Sequence, residues 1–324
     1  MAPLIVMALA LAACSKPTVT PAPGNPVAYV AIGANAAAPG NTVAPVDTTT
    51  GGVGRPIEVG TLPSAVALVP GGASLLVTVK AENNLVEVST ATGKVVKKVG
   101  VGLEPDAVAV TPDGSMALVA NFGDGTVTEV HLPTLVAGTT VAVGRQPVAV
   151  GVTPDGRQAL VVNFQDGTLT PVALPTRVAG PAVPVGQEPV AVAVSPTGST
   201  ALVADFQTSS LTPVGLPSLA AGPALPVGAN PTGIVIPRDG ATAWVSAGDG
   251  VTPVSLATGA AGTPIALGVP ALCIADDPVG GRVWVCGGDE TLVDVDLRKT
   301  KLGRSVRLSG IPAAVVVSLS APTS

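Results

Sequence analysis

Histidine is almost absent from this chain of 324 residues, and its scarcity limits the chemistry available. His131 is the only histidine, and it lies at the predicted end of a strand, beside Leu132 and Pro133. Acid–base catalysis near neutral pH needs a group with a tunable pKa. No Ser-His-Asp or Cys-His set can be assembled, and no glycine-rich phosphate loop opens a helix. We interpret His131 as a surface or structural residue, and the sequence predicts no catalytic residues.

Charge and long hydrophobic runs are also scarce. Charged residues make up 11% of the chain and the net charge is −5, which argues against nucleic-acid binding because that needs a basic stripe. No apolar run reaches about 18 residues, so we expect no membrane-spanning helix. The 47% of hydrophobic residues occur in short runs separated by turns that are rich in the 39 glycines and 33 prolines. This pattern predicts short buried strands.

Seven prolines recur at a nearly fixed interval, which is 42 residues except for one interval of 39. They are Pro63, Pro105, Pro147, Pro189, Pro231, Pro270 and Pro312. A period of about 40–45 residues with four short strands is typical of a propeller blade. The sequence therefore predicts an all-β, seven-bladed β-propeller with four antiparallel strands in each blade.

The repeat that begins at Pro105 illustrates the predicted blade. Its strands are expected at Ala107–Val110, Met116–Asn121, Thr126–Val130 and Thr139–Val143. The turn between the first two is Thr-Pro-Asp-Gly, whose proline and glycine favour turn dihedrals.

The sequence of this repeat resembles the YVTN-type β-propeller repeat. The pattern P-x-A-V-A-V-T-P-D-G is followed by L-V-A-N-x-x-D-G-T-V, and Leu118–Asn121 and Leu160–Asn163 stand at the Tyr-Val-Thr-Asn position. The resemblance covers about residues 26–320 and implies a seven-bladed propeller, often extracytoplasmic, without implying one activity. Propeller lactonases and lyases have a similar architecture, but they bring histidines, or carboxylates with a metal, to the channel.

The two ends of the repeat array predict ring closure. The first repeat starts at its second strand, Val27–Gly33, and the last contributes a single strand, Ala313–Ser318. Pairing these strands would remove the open edge of a linear array. The predicted domains are a signal peptide over residues 1–13, a proline-rich tether over 14–25 and one propeller over 26–324.

The N-terminus resembles a bacterial lipobox. An apolar stretch leads to Leu11-Ala12-Ala13-Cys14, in which Cys14 would be the lipidated residue. The alternative is an ordinary apolar N-terminus. The lipobox predicts an extracytoplasmic protein that is lipid-anchored to the bacterial membrane, in the periplasm or at the cell surface.

The six aromatic residues occupy only two repeat positions. Tyr29, Trp244 and Trp284 share one, and we interpret them as residues that pack between neighbouring sheets. The three phenylalanines share the other.

The mouth of the central channel is the candidate binding site. We define the mouth as the face that carries the fourth-to-first and second-to-third strand loops. The candidate residues are Glu104, Gln146, Glu188, Asn230, Asn121, Asn163, Asp205, Phe122, Phe164 and Phe206. A concave surface of this mixed character suits a small ligand or peptide, and its oxygens could hold Ca²⁺. The alternative is that these residues cap turns. No other cofactor or metal is predicted.

Two further features have structural alternatives of their own. Cys273 and Cys286 should lie opposite each other on neighbouring strands, as a disulfide or as two small buried residues. Five basic residues, Arg55, Lys94, Arg298, Lys299 and Lys301, cluster on the face opposite the mouth, where the tether leaves. They would form either a membrane-facing edge or a solvated one.

The predicted function is that of a non-catalytic binding or interaction module. Its partner would be a protein, peptide or small ligand, and we expect a monomer. The alternatives are a propeller enzyme of lactonase or lyase type and a structural protein of the cell envelope.

Overall fold

The computed structural model describes residues 25–34, 39–216, 218–248 and 250–318, and it confirms the seven-bladed propeller. Each blade is an antiparallel sheet whose first strand lies innermost. The innermost strands of successive blades contact one another around the ring. The described residues contain no helix with the length and hydropathy needed to cross a bilayer.

The strands of each blade follow one another from the channel outward. Blade 1 consists of β30 (Ile311–Ser318), β1 (Val27–Ala34), β2 (Pro39–Asp47) and β3 (Ile57–Glu58). Blade 2 consists of β4 (Pro63–Leu68), β5 (Ser74–Val79), β6 (Asn84–Ser89) and β7 (Lys94–Gly100), with a 3-10 turn at Lys80–Glu82. Blade 3 consists of β8 (Pro105–Val110), β9 (Met116–Asn121), β10 (Thr126–His131) and β11 (Val136–Ala142).

The outer strand is divided in blades 4 and 5. Blade 4 consists of β12 (Pro147–Val152), β13 (Gln158–Asn163), β14 (Thr168–Ala173), β15 (Val178–Ala179) and β16 (Val183–Pro184). Blade 5 consists of β17 (Pro189–Val194), β18 (Thr200–Asp205), β19 (Ser210–Gly215), β20 (Ala220–Ala221) and β21 (Leu225–Pro226).

Blades 6 and 7 complete the ring. Blade 6 consists of β22 (Pro231–Val235), β23 (Thr242–Ala247), β24 (Gly250–Ser255) and β25 (Ile265–Ala266). Blade 7 consists of β26 (Ala271–Asp276), β27 (Arg282–Gly287), β28 (Thr291–Asp296) and β29 (Lys301–Arg307).

The ring closes as predicted, by pairing of the last strand with the first. Strand β30 runs antiparallel to β1, with Val27 opposite Ser318 and Val30 opposite Val315. Strand β30 also contacts β26 on one side and β4 on the other, so it completes the circle of innermost strands.

The core consists of seven apolar layers, one between each pair of neighbouring blades. Alternate side chains of a strand point to opposite faces of the sheet, so each blade supplies residues to two layers. Tyr29, Trp244 and Trp284 are buried in the layers between blades 1 and 2, 6 and 7, and 7 and 1. Their predicted packing role is confirmed.

The seventh blade departs by one residue from the proline spacing. In blade 3, Pro105 pairs with Asn121 at the end of the second strand. The corresponding pair in blade 7 is Ala271 with Gly287. Pro270 therefore takes the position that Glu104 has in blade 3, and the sequence-based alignment of this repeat was shifted by one residue.

Prolines in the third strand explain why the outer strand is divided in blades 4 and 5 and only two residues long in blades 1 and 6. Blades 1, 4, 5 and 6 carry Pro45, Pro171, Pro213 and Pro253 at the position where blade 3 has Glu129. Proline has no N–H, so it cannot donate to the outer strand. In blades 2, 3 and 7, which have Glu87, Glu129 and Asp294 there, the outer strand continues over 7 residues and passes this point with a shift of register.

Candidate functional site

The residues that precede the innermost strands are held in a left-handed backbone conformation. Leu62, Glu104, Gln146, Glu188 and Asn230 have φ between 50° and 59°. Such values are uncommon outside glycine. Five successive blades thus repeat the same turn, and it presents one leucine, two glutamates and two amide side chains around the mouth.

Four of these turns, those at Leu62, Glu104, Gln146 and Glu188, are tied to the residue that follows the second strand. The N–H of Phe122 donates to the Glu104 carbonyl, and that of Phe164 donates to the Gln146 carbonyl, both over 3.0 Å. Phe206 donates in the same way to Glu188. The structure therefore brings the three phenylalanines together with Glu104, Gln146 and Glu188 at the mouth.

The mouth has two different halves. The position after the second strand holds Lys80 and the three half-buried phenylalanines in blades 2 to 5. The same position holds only glycines, Gly248, Gly288 and Gly33, in blades 6, 7 and 1. We call the four larger side chains, Lys80, Phe122, Phe164 and Phe206, the crescent.

Lys80 binds the face of its neighbour in the crescent. Its Nζ lies 4.4 Å from the centroid of the Phe122 ring and 2.8 Å from Oδ1 of Asp106. An ammonium near a ring centroid is attracted by the negative face of the ring. Lys80 and Asp106 were not among the predicted mouth residues, although Lys80 lies 42 residues before Phe122 and could have been found from that spacing.

Asn121, Asn163 and Asp205 do not reach the mouth, which corrects their prediction as ligand-binding residues. All three are fully buried. Asn121 accepts a hydrogen bond from the Gly102 N–H and donates to the hydroxyls of Thr126 and Thr128 over 3.0 and 2.8 Å. Asn163 repeats this arrangement in blade 4. These side chains are occupied in holding the turns together.

Asp205 takes the same buried position with a carboxylate in place of the amide. It accepts hydrogen bonds from the Gly186 N–H over 3.0 Å and from the Thr212 hydroxyl over 2.6 Å. Burial disfavours the charged form and raises the pKa of Asp205 to about 6, although both hydrogen bonds oppose the shift.

The remaining mouth carboxylates differ in their partners. Asp166 is ion-paired with Arg145, with 2.5 Å between Oδ1 and Nε. The side chains of Glu104 and Glu188 have no hydrogen bond or ion pair with any described residue. Glu188 is half-buried and lines a cavity of about 400 Å³ together with Phe164. Free carboxylates and aromatic rings thus lie close together at the mouth.

Nothing in the described parts of the chain gathers three or more His, Cys, Asp or Glu residues in a group that could hold a metal. The mouth oxygens proposed for Ca²⁺ are divided between the buried turns and the exposed loops. His131 is exposed at the end of β10, the third strand of blade 3. It lies away from the innermost strands that surround the channel.

The two cysteines lie opposite each other on neighbouring strands of blade 7. Cys273 on β26 pairs with Cys286 on β27, with 5.0 Å between their Cα atoms, and their sulfurs form a disulfide.

The five residues of the basic edge are exposed, near the turns between the third and fourth strands of blades 7, 1 and 2. Residue Asn25 donates to Asp47 Oδ2 on the same face. Cys14 lies outside the described residues.

Comparison with solved structures shows the same fold in proteins of differing descriptions. A functionally unknown protein from Desulfotomaculum acetoxidans has a TM-score of 0.79 and 17% identity, covering 92% of this chain and 99% of that one. A protein from Bacteroides uniformis, described as a candidate 6-phosphogluconolactonase, has a TM-score of 0.74 and 16% identity, covering 91% and 100%. Hydrazine synthase of Kuenenia stuttgartiensis has a TM-score of 0.72 and 19% identity, covering 78% and 89%.

No family model and no curated protein matches the chain. At these identities the structural likeness shows the propeller fold alone, so function must be argued from the mouth.

Proposed function

We propose that this protein is a non-catalytic binding module that captures a peptide or small ligand at the channel mouth. One observation carries the proposal: half-buried aromatic rings and unpaired carboxylates meet in a concave half of the mouth. Binding sites generally combine apolar lining with a few polar groups that fix orientation. The single histidine lies away from the channel, which favours binding over acid–base chemistry at the mouth.

The proposal places the propeller outside the cytoplasm, held to the membrane by a lipid on Cys14. The supporting observations are the lipobox-like Leu11–Cys14 sequence and the entry of the chain on the face opposite the mouth. The basic edge lies on that entry face and would lean on anionic lipid. The mouth would then face away from the membrane. Metabolic labelling with an alkyne fatty acid tests the anchor, because Cys14→Ser should abolish labelling.

A ligand screen by thermal unfolding tests the binding function. A ligand that binds only the folded state raises the unfolding midpoint. The screen uses the full chain carrying Cys14→Ser, which has no acceptor for the lipid. Hits are repeated with Phe164→Ala and Phe206→Ala, which should reduce the shift. A library that gives no hit, or hits that both variants leave unchanged, would refute binding at the crescent.

Lactone hydrolysis is the second candidate function, favoured by the likeness to the candidate lactonase from Bacteroides uniformis. Turnover of 6-phosphogluconolactone by the purified chain, lost on Glu104→Gln or Glu188→Gln, would replace the binding proposal with this one.

A further inference from the structure

A cavity lies beside Phe164 at the mouth. Its volume is about 400 Å³, and it lies between the second-to-third strand turn of blade 4 and the connection to blade 5. Its lining residues include Phe164, Gln165, Asp166, Gln187 and Glu188. One aromatic ring, two amides and two carboxylates therefore surround a space large enough for one long side chain.

The charge of the cavity is negative and only partly compensated. Arg145 neutralises Asp166, and its backbone N–H and then its side chain hold the pKa of Asp166 below its usual value. Glu188 has no such partner among the described residues. A half-buried carboxylate without a partner lacks part of the solvation that it has in water. A cationic ligand would supply the missing partner.

The neighbouring blade contains an ammonium group that is bound by an aromatic ring and a carboxylate, which is the kind of contact that we expect for such a ligand. There the ammonium of Lys80 lies on the ring of Phe122 and is paired with the Asp106 carboxylate. Phe164 is the equivalent ring one blade further on. The residue at the Asp106 position there is Val148, and the carboxylate at the cavity is Glu188, from the connection to blade 5. No cation of the described chain lies over Phe164. The cavity thus has a ring and a carboxylate, the two kinds of group that hold the Lys80 ammonium, although its carboxylate comes from a different position of the repeat.

We propose that this cavity binds an alkylammonium group, supplied by a lysine side chain of an extended peptide segment. The inference rests on the proposed binding function and names its ligand. Gln165 and Gln187 at the cavity could hydrogen-bond the peptide backbone, since each amide both donates and accepts. A free polyamine shares the ammonium chemistry but has no such backbone.

Fluorescence anisotropy with four probes tests the proposal, again on the full chain carrying Cys14→Ser. The probes are labelled penta-lysine, penta-glutamine and penta-glutamate peptides, and spermidine as a competitor. We expect only penta-lysine to bind. Glu188→Gln should weaken it about tenfold, because a charge-assisted hydrogen bond is lost. Phe164→Leu, which keeps an apolar side chain without the ring, should weaken it about threefold to fivefold.

The matched control is Glu58→Gln, which makes the same charge change at an exposed position of β3 in blade 1, away from the crescent. It should change penta-lysine affinity less than twofold. Equal losses in the two glutamate variants would refute the cavity as the site. Variants are compared only when their unfolding midpoints match, and Phe164→Leu provides the test if Glu188→Gln does not fold.

Failure of this inference is distinguishable from failure of the binding function. Binding of penta-glutamine or penta-glutamate that equals that of penta-lysine would overturn the cation while leaving a binding module. A hit from the thermal screen, when no peptide binds, would likewise overturn the cation and leave a binding module. Spermidine that binds more tightly than penta-lysine would overturn the peptide as the source. No binding of any probe and no hit in the screen would overturn both proposals.

Discussion

At Asp205 the repeat has a buried carboxyl group in place of a hydrogen-bonded amide. Blades 3 and 4 have asparagine at this position, and its Nδ2 group donates to two hydroxyls. The carboxylate of Asp205 cannot donate, and its pKa is raised to about 6. Protonation restores a donor at the position. The titration of Asp205 therefore makes the free energy of unfolding depend on pH.

We predict that Asp205→Asn stabilises the fold at neutral pH. Because the folded-state pKa is raised, the native state keeps a proton that the unfolded state releases from about pH 4. The free energy of unfolding then falls between about pH 4 and pH 6 and stays low above that. A shift of about two units amounts to roughly 2–3 kcal/mol. Urea unfolding of both proteins at pH 4 and pH 7.5 measures the difference.

The difference between the two proteins should be near zero at pH 4 and largest above pH 6. Burial also raises the pKa of Asp276 to about 6. Asp276 titrates in both proteins, so its contribution cancels when their free energies of unfolding are subtracted. Asn163→Asp, which makes the reverse exchange in blade 4, should destabilise the fold at pH 7.5. An Asp205→Asn variant that is less stable at pH 7.5 would contradict the prediction.

The second prediction at the residue scale concerns Cys273 and Cys286. The protein purified without reductant and then denatured should contain no free thiol once Cys14 is replaced by serine. The bond spans a sequence separation of 13 residues, for which loop-closure entropy corresponds to about 3 kcal/mol. Reduction should therefore lower the unfolding midpoint. A count of two free thiols would show that the cysteines are small buried residues instead.

At the scale of the element, the third-strand prolines predict an uneven pattern of hydrogen exchange. Amides of β7, β11 and β29 that face the third strand should be protected on both sides of the register shift in each blade. In blades 1, 4, 5 and 6 protection should be confined to the short pairs that flank each proline, such as β15 and β16. Exchange measured by mass spectrometry at peptide resolution checks this, because amides bonded in a stable ladder open less often. Uniform protection of all seven outer strands would contradict the role given to proline.

The last strand is the element on which the ring closure depends. A chain that ends at Gly310 would lose β30 and expose the edge of β1 and the apolar layers on both sides of blade 1. Val315 and Val317 are buried there. We expect this chain to lose its cooperative thermal transition, and a synthetic peptide of residues 308–324 to restore it. An unchanged midpoint for the truncated chain would refute closure by this strand.

The elements were predictable from the sequence to the extent that the repeat imposes them. The regular prolines and the Asp-Gly turns indicated the blade number and most strand positions. Two departures from the repeat were not predictable. The shift at Pro270 was hidden because a proline is present one residue early. The divided outer strands were hidden because a proline in the third strand is also typical of a strand at the edge of a sheet. The buried Asn121 was assigned to the mouth because a polar residue at a strand end has the same sequence pattern whether it faces a turn or solvent.

Across the whole molecule, the two faces of the propeller differ in charge and in the residues that they expose. The mouth has the crescent and the unpaired carboxylates, whereas the opposite face has the basic edge on three adjoining blades. The edge is only partly neutralised: Lys299 is 3.5 Å from Asp296, whereas Arg55 and Lys94 have no ion pair with a described residue. This polarity is the basis for the proposed orientation on a membrane.

Charge reversal tests that orientation. The full chain carrying Cys14→Ser should bind vesicles containing phosphatidylglycerol at low salt, and replacement of Arg298, Lys299 and Lys301 by glutamate should weaken binding at least tenfold. Each cation near an anionic surface contributes about 1 kcal/mol, and salt screens the attraction. Reversal of Arg157 and Arg238, which lie in blades 4 and 6 outside the basic edge, is the control and should have little effect. Co-sedimentation at about 20 to about 200 mM salt measures both, because the Debye length shortens from roughly 20 Å to roughly 7 Å over that range. If the parent chain does not bind, or binds vesicles of neutral lipid equally well, the basic edge does not orient the protein.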